Sequence, residues 1–203
     1  MKQSTKGPVG RPPTMDAPRQ TIQSAAARLF AEKGFEQTSL QDVADAVGVT
    51  KAAVYHYFQS KQVIYDEIVV YLLDGLYDHV HAKITSDELP RDKLKIFMTS
   101  HAEFFETHYI AFVALFHGTS GIARNARSDR QLETRDRYEA LLRGLLSEGA
   151  STGCFAIDDI AICAKGILSM LNWMSRWYKP DGRQHAAAIA LSYSEIIYRG
   201  VKS

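Results

Sequence analysis

Cysteine is scarce in this sequence, with only Cys154 and Cys163 among 203 residues. Because the two do not form a CxxC pair, neither a disulfide framework nor a structural zinc site is supported, and a reducing compartment fits best. Long apolar runs are also missing, since Lys165, Asn172 and Arg176 interrupt the most apolar stretch before the roughly 18 residues that a membrane span needs. The polar N-terminus lacks the apolar segment of a secretory signal. We expect a cytoplasmic protein with no membrane partner.

Motifs of catalysis and cofactor binding are absent as well. The chain holds no GxSxG elbow, phosphate loop, dinucleotide fingerprint or HExxH pair. Its seven histidines lack the i, i+4 spacing of helical zinc ligands. We therefore expect no catalytic residues, no metal, no cofactor and no enzymatic activity.

Neither positive nor negative charge dominates the sequence, but the charged residues are unevenly distributed along it. Residues 1–62 hold eight Lys and Arg against five Asp and Glu, whereas the other 141 residues hold 16 against 18, within a net charge of +1. Such an excess is expected if the first third meets a polyanion and the rest does not. With 46% apolar residues, the chain can also fill a substantial core.

Apolar side chains recur at three- and four-residue spacing along most of the chain, and sustained period-two alternation is missing. The pattern predicts an all-α fold of about nine helices. Residues 1–18 are proline-rich and poor in apolar side chains, which predicts a flexible basic arm. In residues 19–62, two short helices joined by a tight turn at Gly48 predict a helix-turn-helix domain. Residues 63–203 form a larger helical domain.

The short helix predicted after Thr50 has two faces. Val54 and Phe58 lie on the face that anchors it to its domain. The other face holds small or polar side chains suited to base edges and phosphates in a major groove: Lys51, Ala52, Tyr55 and His56.

Two further helix starts flank this helix and offer backbone N–H groups suited to phosphates, one at Thr38 and Ser39 and one at Ser60 and Lys61. Lys61 is either a phosphate contact or a solvated lysine. Tyr55 and Tyr57 either face DNA or pack within a small helical domain, and the surrounding pattern favours DNA.

Three linked segments occur in order between Ile22 and Ile68: AAARLFAEKGF at 25–35, TSLQDVA at 38–44 and GVTKAAVYHYFQSK at 48–61. This run resembles the DNA-binding domain of TetR-family transcriptional regulators. The resemblance implies a homodimeric, ligand-responsive repressor whose first three helices bind a double-stranded DNA operator. One departure is His56-Tyr57, where members often carry Tyr or Arg followed by His, and it concerns base preference.

The arm carries a separate hint in Gly10-Arg11-Pro12. This tripeptide matches the core of a motif in which an extended backbone places an arginine in a narrow minor groove. Arg11 therefore either contacts DNA or belongs to a merely solubilising tail.

The resemblance also implies that residues 63–203 are a ligand-binding and dimerisation domain. Its last two predicted helices, one from Asp159 to about Tyr178 and one ending near Arg199, are expected to form a four-helix bundle across a twofold axis. The first of these helices carries a polar stripe that either faces water or reaches a ligand: Lys165, Ser169, Asn172 and Arg176.

Aromatic residues of this domain are candidates for an apolar ligand cavity, although plain core is the favoured interpretation for each phenylalanine taken alone. The aromatic set is Phe104, Phe105, Phe112, Phe116, Trp173 and Trp177, and Arg176 joins it because its guanidinium could fix the anionic end of a ligand. The stretch from Asn172 to Pro180 is similar to TetR-like regulators of lipid or steroid breakdown that sense acyl-CoA thioesters. That similarity implies an acyl-CoA effector, whereas a free hydrophobic drug or fatty acid is the rival.

Together these features predict a repressor that binds a palindromic operator as a dimer and is released by a small hydrophobic or acyl-CoA-type effector. The alternative is an architectural or division-control DNA-binding protein on the same fold that needs no small-molecule inducer.

Overall fold

The computed structural model describes residues 18–117 and 128–201. Within those ranges the chain folds into nine α-helices and one short 3-10 helix and has no β-strand, which confirms the predicted all-α class. The helices are α1 Pro18–Lys33, α2 Leu40–Val47, α3 Lys51–Tyr57, α4 Lys61–His81, α5 Pro90–Thr107, α6 Tyr109–His117, α7 Asp129–Ser151, α8 Ile160–Trp173 and α9 Ala186–Val201, with the 3-10 helix at Met174–Arg176. None of these helices is both long and apolar enough to cross a bilayer.

Short polar side chains begin the helices that surround the turn. The Ser39 hydroxyl accepts from the Asp42 amide at 3.1 Å and the Asp42 carboxylate accepts from the Ser39 amide at 2.8 Å, which makes a capping box at the start of α2. The Thr50 hydroxyl accepts from the Ala53 amide and that of Ser60 accepts from the Val63 amide, both at 3.2 Å. The three helices therefore begin where the sequence predicts helix starts.

The turn between α2 and α3 depends on Gly48. Its φ of +72° lies in the left-handed region, where glycine has no Cβ penalty, and its amide bonds back to carbonyls of the last turn of α2. The chain can therefore leave α2 and start α3 within three residues. The three helices close over a small shared core, which includes Ile22, Phe30, Val43, Val54 and Phe58.

One continuous set of buried residues joins these three helices to the rest of the protein, running from Ile22 to Ala190. Helix α4 passes through it, with Ile64 and Val69 fully buried. Helix α5 packs along α9, α4 and α7. The division expected between residues 62 and 63 thus falls within the first turn of α4, so a shift of α4 moves the base of the helix-turn-helix unit.

The end of α8 differs from the prediction. Regular helix was expected to about Tyr178, but α8 ends at Trp173 and the 3-10 turn follows. The amides of Trp177 and Tyr178 both bond to the Met174 carbonyl, and the Met174 side chain is fully buried, which tightens the turn. Arg176 therefore leaves the helical register of the polar stripe.

Candidate nucleic-acid interface and ligand cavity

Helix α3 has one exposed and one buried face. Lys51, Ala52 and His56 are exposed, and the Tyr55 side chain is 49% exposed. On the opposite face Val54 is fully buried and Phe58 is almost so. The structure thus brings four of the predicted base-reading side chains together on a surface that the rest of the fold leaves open.

The aromatic residues of α3 have different environments. Lys51 Nζ lies 5.8 Å from the centroid of the Tyr55 ring, so this lysine and tyrosine extend together. Tyr57 is half-buried, and its ring meets that of His56 edge-on at 5.1 Å. The Tyr57 carbonyl accepts a 3.0 Å hydrogen bond from Arg19. Tyr57 is therefore partly a packing residue, whereas Tyr55 projects from the surface.

The flank at the start of α2 requires a correction. Thr38 was expected to help cap α2 and offer its amide to a phosphate, but its side chain is only 1% exposed. Its hydroxyl donates to the Gly34 carbonyl at 2.8 Å and its amide to the Phe35 carbonyl at 3.3 Å, because both groups close the turn after α1. Ser39 is exposed, and its hydrogen bonds lower the pKa of Asp42 to about 2.

Lys61 is half-buried, and its ammonium group already forms hydrogen bonds within the fold. Its Nζ donates to the carbonyls of Phe35 at 2.8 Å and Glu36 at 3.1 Å, and it lies 4.5 Å from the centroid of the Phe35 ring. An ammonium group has three hydrogens, so one remains for a phosphate. Arg11, the remaining predicted DNA contact, lies outside the described residues.

A cavity of about 540 Å³ opens between five helices of the larger domain, α4 to α8. Its apolar wall includes Leu73, Leu76, Phe112 and Leu168. Exposed or half-exposed polar side chains surround its mouth: Arg135, Asp136, Glu139, Lys165, Ser169 and Asn172. Three residues of the predicted polar stripe therefore line a cavity as well as meeting solvent.

Two buried polar side chains also line this cavity. Nδ1 of His101 and the Tyr138 hydroxyl lie 2.9 Å apart. Burial lowers the pKa of His101 to about 3 and raises the pKa of Tyr138 well above its usual value. Both side chains are therefore neutral at physiological pH.

The predicted phenylalanines divide into two pairs. Phe112 and Phe116 line the cavity. Phe104 and Phe105 do not, which corrects their assignment: Phe104 stacks on His108 with ring centroids 4.0 Å apart, and Phe105 meets Phe112 edge-on at 5.3 Å. Both face neighbouring helices, so they are core residues.

The cluster expected around Trp173 is at the margin of the cavity. Trp173 and Arg176 line an adjoining depression of about 280 Å³ that shares Phe116, Ser169 and Asn172 with the cavity. Arg176 Cζ lies 5.6 Å from the Trp173 ring centroid, and its guanidinium donates to the Phe116 carbonyl at 3.2 Å. Trp177 is exposed and lines neither space, so the structure does not bring it together with the other predicted ligand contacts.

Sequence reasoning missed the polar residues that line the cavity from α5 and α7. His101 lies on the buried face of α5 among Leu94, Phe97 and Phe105, with Lys93 and Ser100 as the other buried polar residues of that helix, and a polar ring at an apolar position is the signal that could have revealed it. The α7 residues carried no such signal, because charges on one side of a helix usually face water. Among the described residues, no group of three or more His, Cys, Asp and Glu side chains could hold a metal ion.

Comparison with known proteins agrees with this geometry. Residues 22–68 match the profile of bacterial regulatory proteins of the tetR family, and residues 87–201 match that of the Tetracyclin repressor-like C-terminal domain. The HTH-type transcriptional repressor KstR2 of Rhodococcus jostii is 29% identical over 186 residues, which cover 91% of each chain.

Solved structures with the same fold extend the comparison. The TetR family transcriptional regulator PfmR from Thermus thermophilus is 40% identical, covers 90% of this chain and 99% of its own, and has a TM-score of 0.79. AibR, solved in complex with isovaleryl coenzyme A and operator DNA, is 26% identical, covers 89% and 97%, and has a TM-score of 0.77. These relatives are transcriptional regulators, and no enzyme family is indicated. The chain belongs to the TetR family of bacterial transcriptional regulators.

Proposed function

We propose that the protein is a ligand-responsive repressor that binds a palindromic operator as a homodimer and is released by a small hydrophobic or acyl-CoA-type effector. Residues 1–18 are its basic arm, residues 19–62 its DNA-binding domain and residues 63–203 its ligand-binding and dimerisation domain. Because it acts on chromosomal DNA, it works in the cytoplasm.

The two-faced α3 helix carries the proposal. Its exposed face combines a cation, a methyl group, a phenol and an imidazole, which are groups that contact guanine, thymine methyl and phosphate in a major groove. The buried anchor on its other face holds it rigidly, as a recognition helix requires. Ser39, Thr50 and Lys61 lie beside it and are proposed backbone contacts.

The dimer is supported by apolar side chains that the single chain leaves uncovered on α8 and α9. Ile162 is 69% exposed and Ile196 is 60% exposed, and Trp173 and Leu191 are exposed as well. Exposed apolar patches of this kind mark protein interfaces. Pairing across a twofold axis would bury them and fix the distance between two α3 helices.

An effector is supported by the cavity. Its volume lies within the range of small-molecule sites, and its apolar wall and polar mouth suit an amphipathic molecule. AibR was solved with isovaleryl coenzyme A, which makes an acyl-CoA the first effector to test here. Arg176, beside the mouth, is placed to meet an anionic part of such a molecule.

DNA binding is tested with an operator selected from a random duplex pool by the full-length protein. Tyr55→Ala should weaken binding to that operator by about 5- to 150-fold in fluorescence anisotropy, because a base-contacting side chain contributes about 1–3 kcal/mol. Tyr71→Ala is the matched control, since Tyr71 is 77% exposed on α4 and away from the α3 face. Equal losses in both variants contradict the assignment.

The effector is tested with decanoyl-CoA added to the protein–operator complex. Release of the DNA supports the proposal, and Arg176→Met should weaken that response without changing basal operator affinity. If neither acyl-CoA thioesters nor free fatty acids bind the protein or release the DNA, the architectural or division-control alternative is favoured.

The dimer is tested by analytical ultracentrifugation of Ile162→Glu. A charge inside the proposed interface should produce monomers and abolish tight binding to the palindrome, because both half-sites must be engaged together. Leu89→Glu is the control, since Leu89 is equally exposed but precedes α5. A dimeric Ile162→Glu protein contradicts this interface.

A further inference from the structure

A separate cavity, of about 680 Å³, lies along α4 and shares no lining residue with the 540 Å³ cavity. Helix α1 contributes Arg19 and Gln23 to its lining, and the start of α7 contributes Ser128 and Arg130. The α4 residues that line it are spaced by three and four positions and therefore share one face of the helix: Val63, Asp66, Glu67, Val70, Tyr71 and Asp74. A molecule held here contacts the DNA-binding unit through α1 and the larger domain through α7.

Two of the carboxylates in this cavity are already paired with arginine. Glu67 accepts from Arg19, with Nε and Oε2 3.1 Å apart. Asp74 accepts a 3.0 Å hydrogen bond from Arg137, and the Arg130 guanidinium lies 4.0 Å from its other oxygen. The arginines that line the cavity are therefore balanced by these two carboxylates.

Asp66 is the lining carboxylate without a basic partner. Its Oδ1 accepts from Gln62 and Gln131, both at 2.7 Å, whereas Oδ2 accepts no hydrogen bond within the described part of the chain and is not a fully buried atom. Burial raises the pKa of Asp66, and among residues 18–117 and 128–201 no lysine or arginine pairs with the carboxylate to offset this. A positive charge brought in by a ligand would therefore stabilise the ionised carboxylate.

The remaining lining suits a flat apolar group. Tyr71 is 77% exposed, and Val63 and Val70 add methyl groups beside it on the same face of α4. An exposed aromatic face attracts cations as well as apolar rings. Small inorganic cations such as Ca²⁺ and Mg²⁺ fit less well, since they need about six oxygen ligands and the carboxylates of Glu67 and Asp74 already face arginine.

We propose that this cavity is a second small-molecule site, specific for organic cations that carry a protonated amine on an aromatic or other flat apolar body. The ammonium group donates to Oδ2 of Asp66, and the apolar body lies against Tyr71 and the two valines. An uncharged molecule of the same shape lacks the charged contact, and an anion meets an unpaired negative charge. The site does not depend on which effector occupies the 540 Å³ cavity.

The test compares two probes of nearly equal shape, 1-naphthylmethylammonium and 1-naphthylmethanol, which differ in charge. Their dissociation constants for the full-length protein are measured by isothermal titration calorimetry at neutral pH. Wild type should bind the ammonium compound about tenfold more tightly than the alcohol, because a hydrogen bond between two charged groups is stronger than one to a neutral hydroxyl.

Asp66→Asn removes the charge but keeps an oxygen that can accept from Gln62 and Gln131. In this variant the preference for the ammonium compound should fall below about twofold. Asp78→Asn is the matched control, since Asp78 is exposed one turn beyond Asp74 on α4 and does not line the cavity. It makes the same change of charge and should keep the wild-type preference. Equal losses in both variants would indicate a long-range effect of charge and contradict a contact at Asp66.

Tyrosine-selective ¹³C spectra of the wild type add a measurement that does not depend on the folding of Asp66→Asn. The ring signal of Tyr71, identified by its absence in Tyr71→Ala, should shift when the ammonium probe is added. The proposal is overturned if wild type binds neither probe or binds both equally, if the Tyr71 signal does not move, or if the preference survives in Asp66→Asn.

Discussion

Gln131, in the first turn of α7, donates a 2.7 Å hydrogen bond from Nε2 to Oδ1 of Asp66 on α4. Gln62 donates to the same oxygen at 2.7 Å from within α4. Burial raises the pKa of Asp66, because desolvation disfavours the charged form of its carboxyl group. The carboxylate therefore depends on hydrogen bonds from these amide donors for its stability. Helix α7 lines the cavity two turns later through Tyr138, and α4 begins just after the α3 recognition helix. One hydrogen bond therefore links the cavity wall to the base of the DNA-binding unit.

Gln131→Leu should uncouple the effector from DNA. The variant keeps α3 and the cavity but removes the polar link between α7 and α4 that lies at Asp66, while the Arg137–Asp74 pair between the same helices remains. The ratio of effector affinities with and without operator should therefore move toward one. Operator affinity and effector affinity, each measured alone, should change by less than about threefold. Gln62→Leu is the control, because it breaks a bond to the same oxygen within one helix. Equal uncoupling by both variants contradicts a role for the interhelix link.

Arg19 should be a positioning residue for α3. Its guanidinium is paired with Glu67 on α4, donates to the Tyr57 carbonyl at 3.0 Å, and lies 4.4 Å from the Phe58 ring centroid. Arg19→Met should lower the free energy of unfolding by only about 1 kcal/mol, since exposed ion pairs contribute little. It should nevertheless weaken operator binding several-fold, because the end of α3 is no longer held against α1 and α4.

Arg91→Met is a matched control for Arg19. Arg91 pairs with Glu195 at 3.1 Å and lies 4.3 Å from the Tyr198 ring centroid, which is a similar combination of carboxylate and aromatic ring between α5 and α9. Arg91→Met should lower the free energy of unfolding, measured by urea titration, by about as much as Arg19→Met does. It should leave the operator affinity unchanged. If both variants lose DNA binding equally, the effect of Arg19 is global destabilisation.

Alanine substitutions at two glycines of α7 should change the free energy of unfolding in opposite directions. A Cβ on Gly149 would lie 2.1 Å from Cδ2 of Phe155, a buried ring that closes the end of the helix, so Gly149→Ala should lower the free energy of unfolding by about 1–3 kcal/mol. A Cβ on Gly144 meets nothing within 4 Å, so Gly144→Ala should raise it by up to about 1 kcal/mol through helix propensity. Urea unfolding of the two variants checks both signs, and a stabilising Gly149→Ala would contradict the packing.

The helix-turn-helix unit could be predicted because its signals are local. Ser39, Gly48 and Thr50 specify a cap, a left-handed turn and another cap within twelve residues, and no distant part of the chain changes their meaning. Prediction from local signals fails at Thr38. Threonine and serine are both suitable caps, and only the approach of Gly34 determines which hydroxyl turns inward.

The cavity could not be predicted to the same degree because five helices form it. Phe104 and Phe112 are both buried and both belong to apolar helix faces, and only the packing of the neighbouring helices places Phe112 against empty space. The same holds for Lys165, since its position on a helix leaves both solvent and a ligand open and only the packing places it beside the cavity. His101 was visible as a polar ring within an apolar pattern, but its environment depends on Tyr138, which lies 37 positions later.

His101 should make the stability of the protein depend on pH in mildly acidic solution. Burial holds its pKa at about 3 in the folded protein against a usual 6.5, so between those values the unfolded chain binds a proton that the folded chain does not. Unfolding is therefore favoured as pH falls through this window, by up to about 1.4 kcal/mol per pH unit. From pH 7.5 to 5, wild type should lose about 2 kcal/mol more than His101→Phe in urea unfolding at fixed protomer concentration. Tyr138→Phe should be less stable at both pH values by about 1 kcal/mol but retain the wild-type difference, because it removes a hydrogen bond and leaves the imidazole buried. A His101→Phe protein with the wild-type pH dependence would place the responsible group elsewhere.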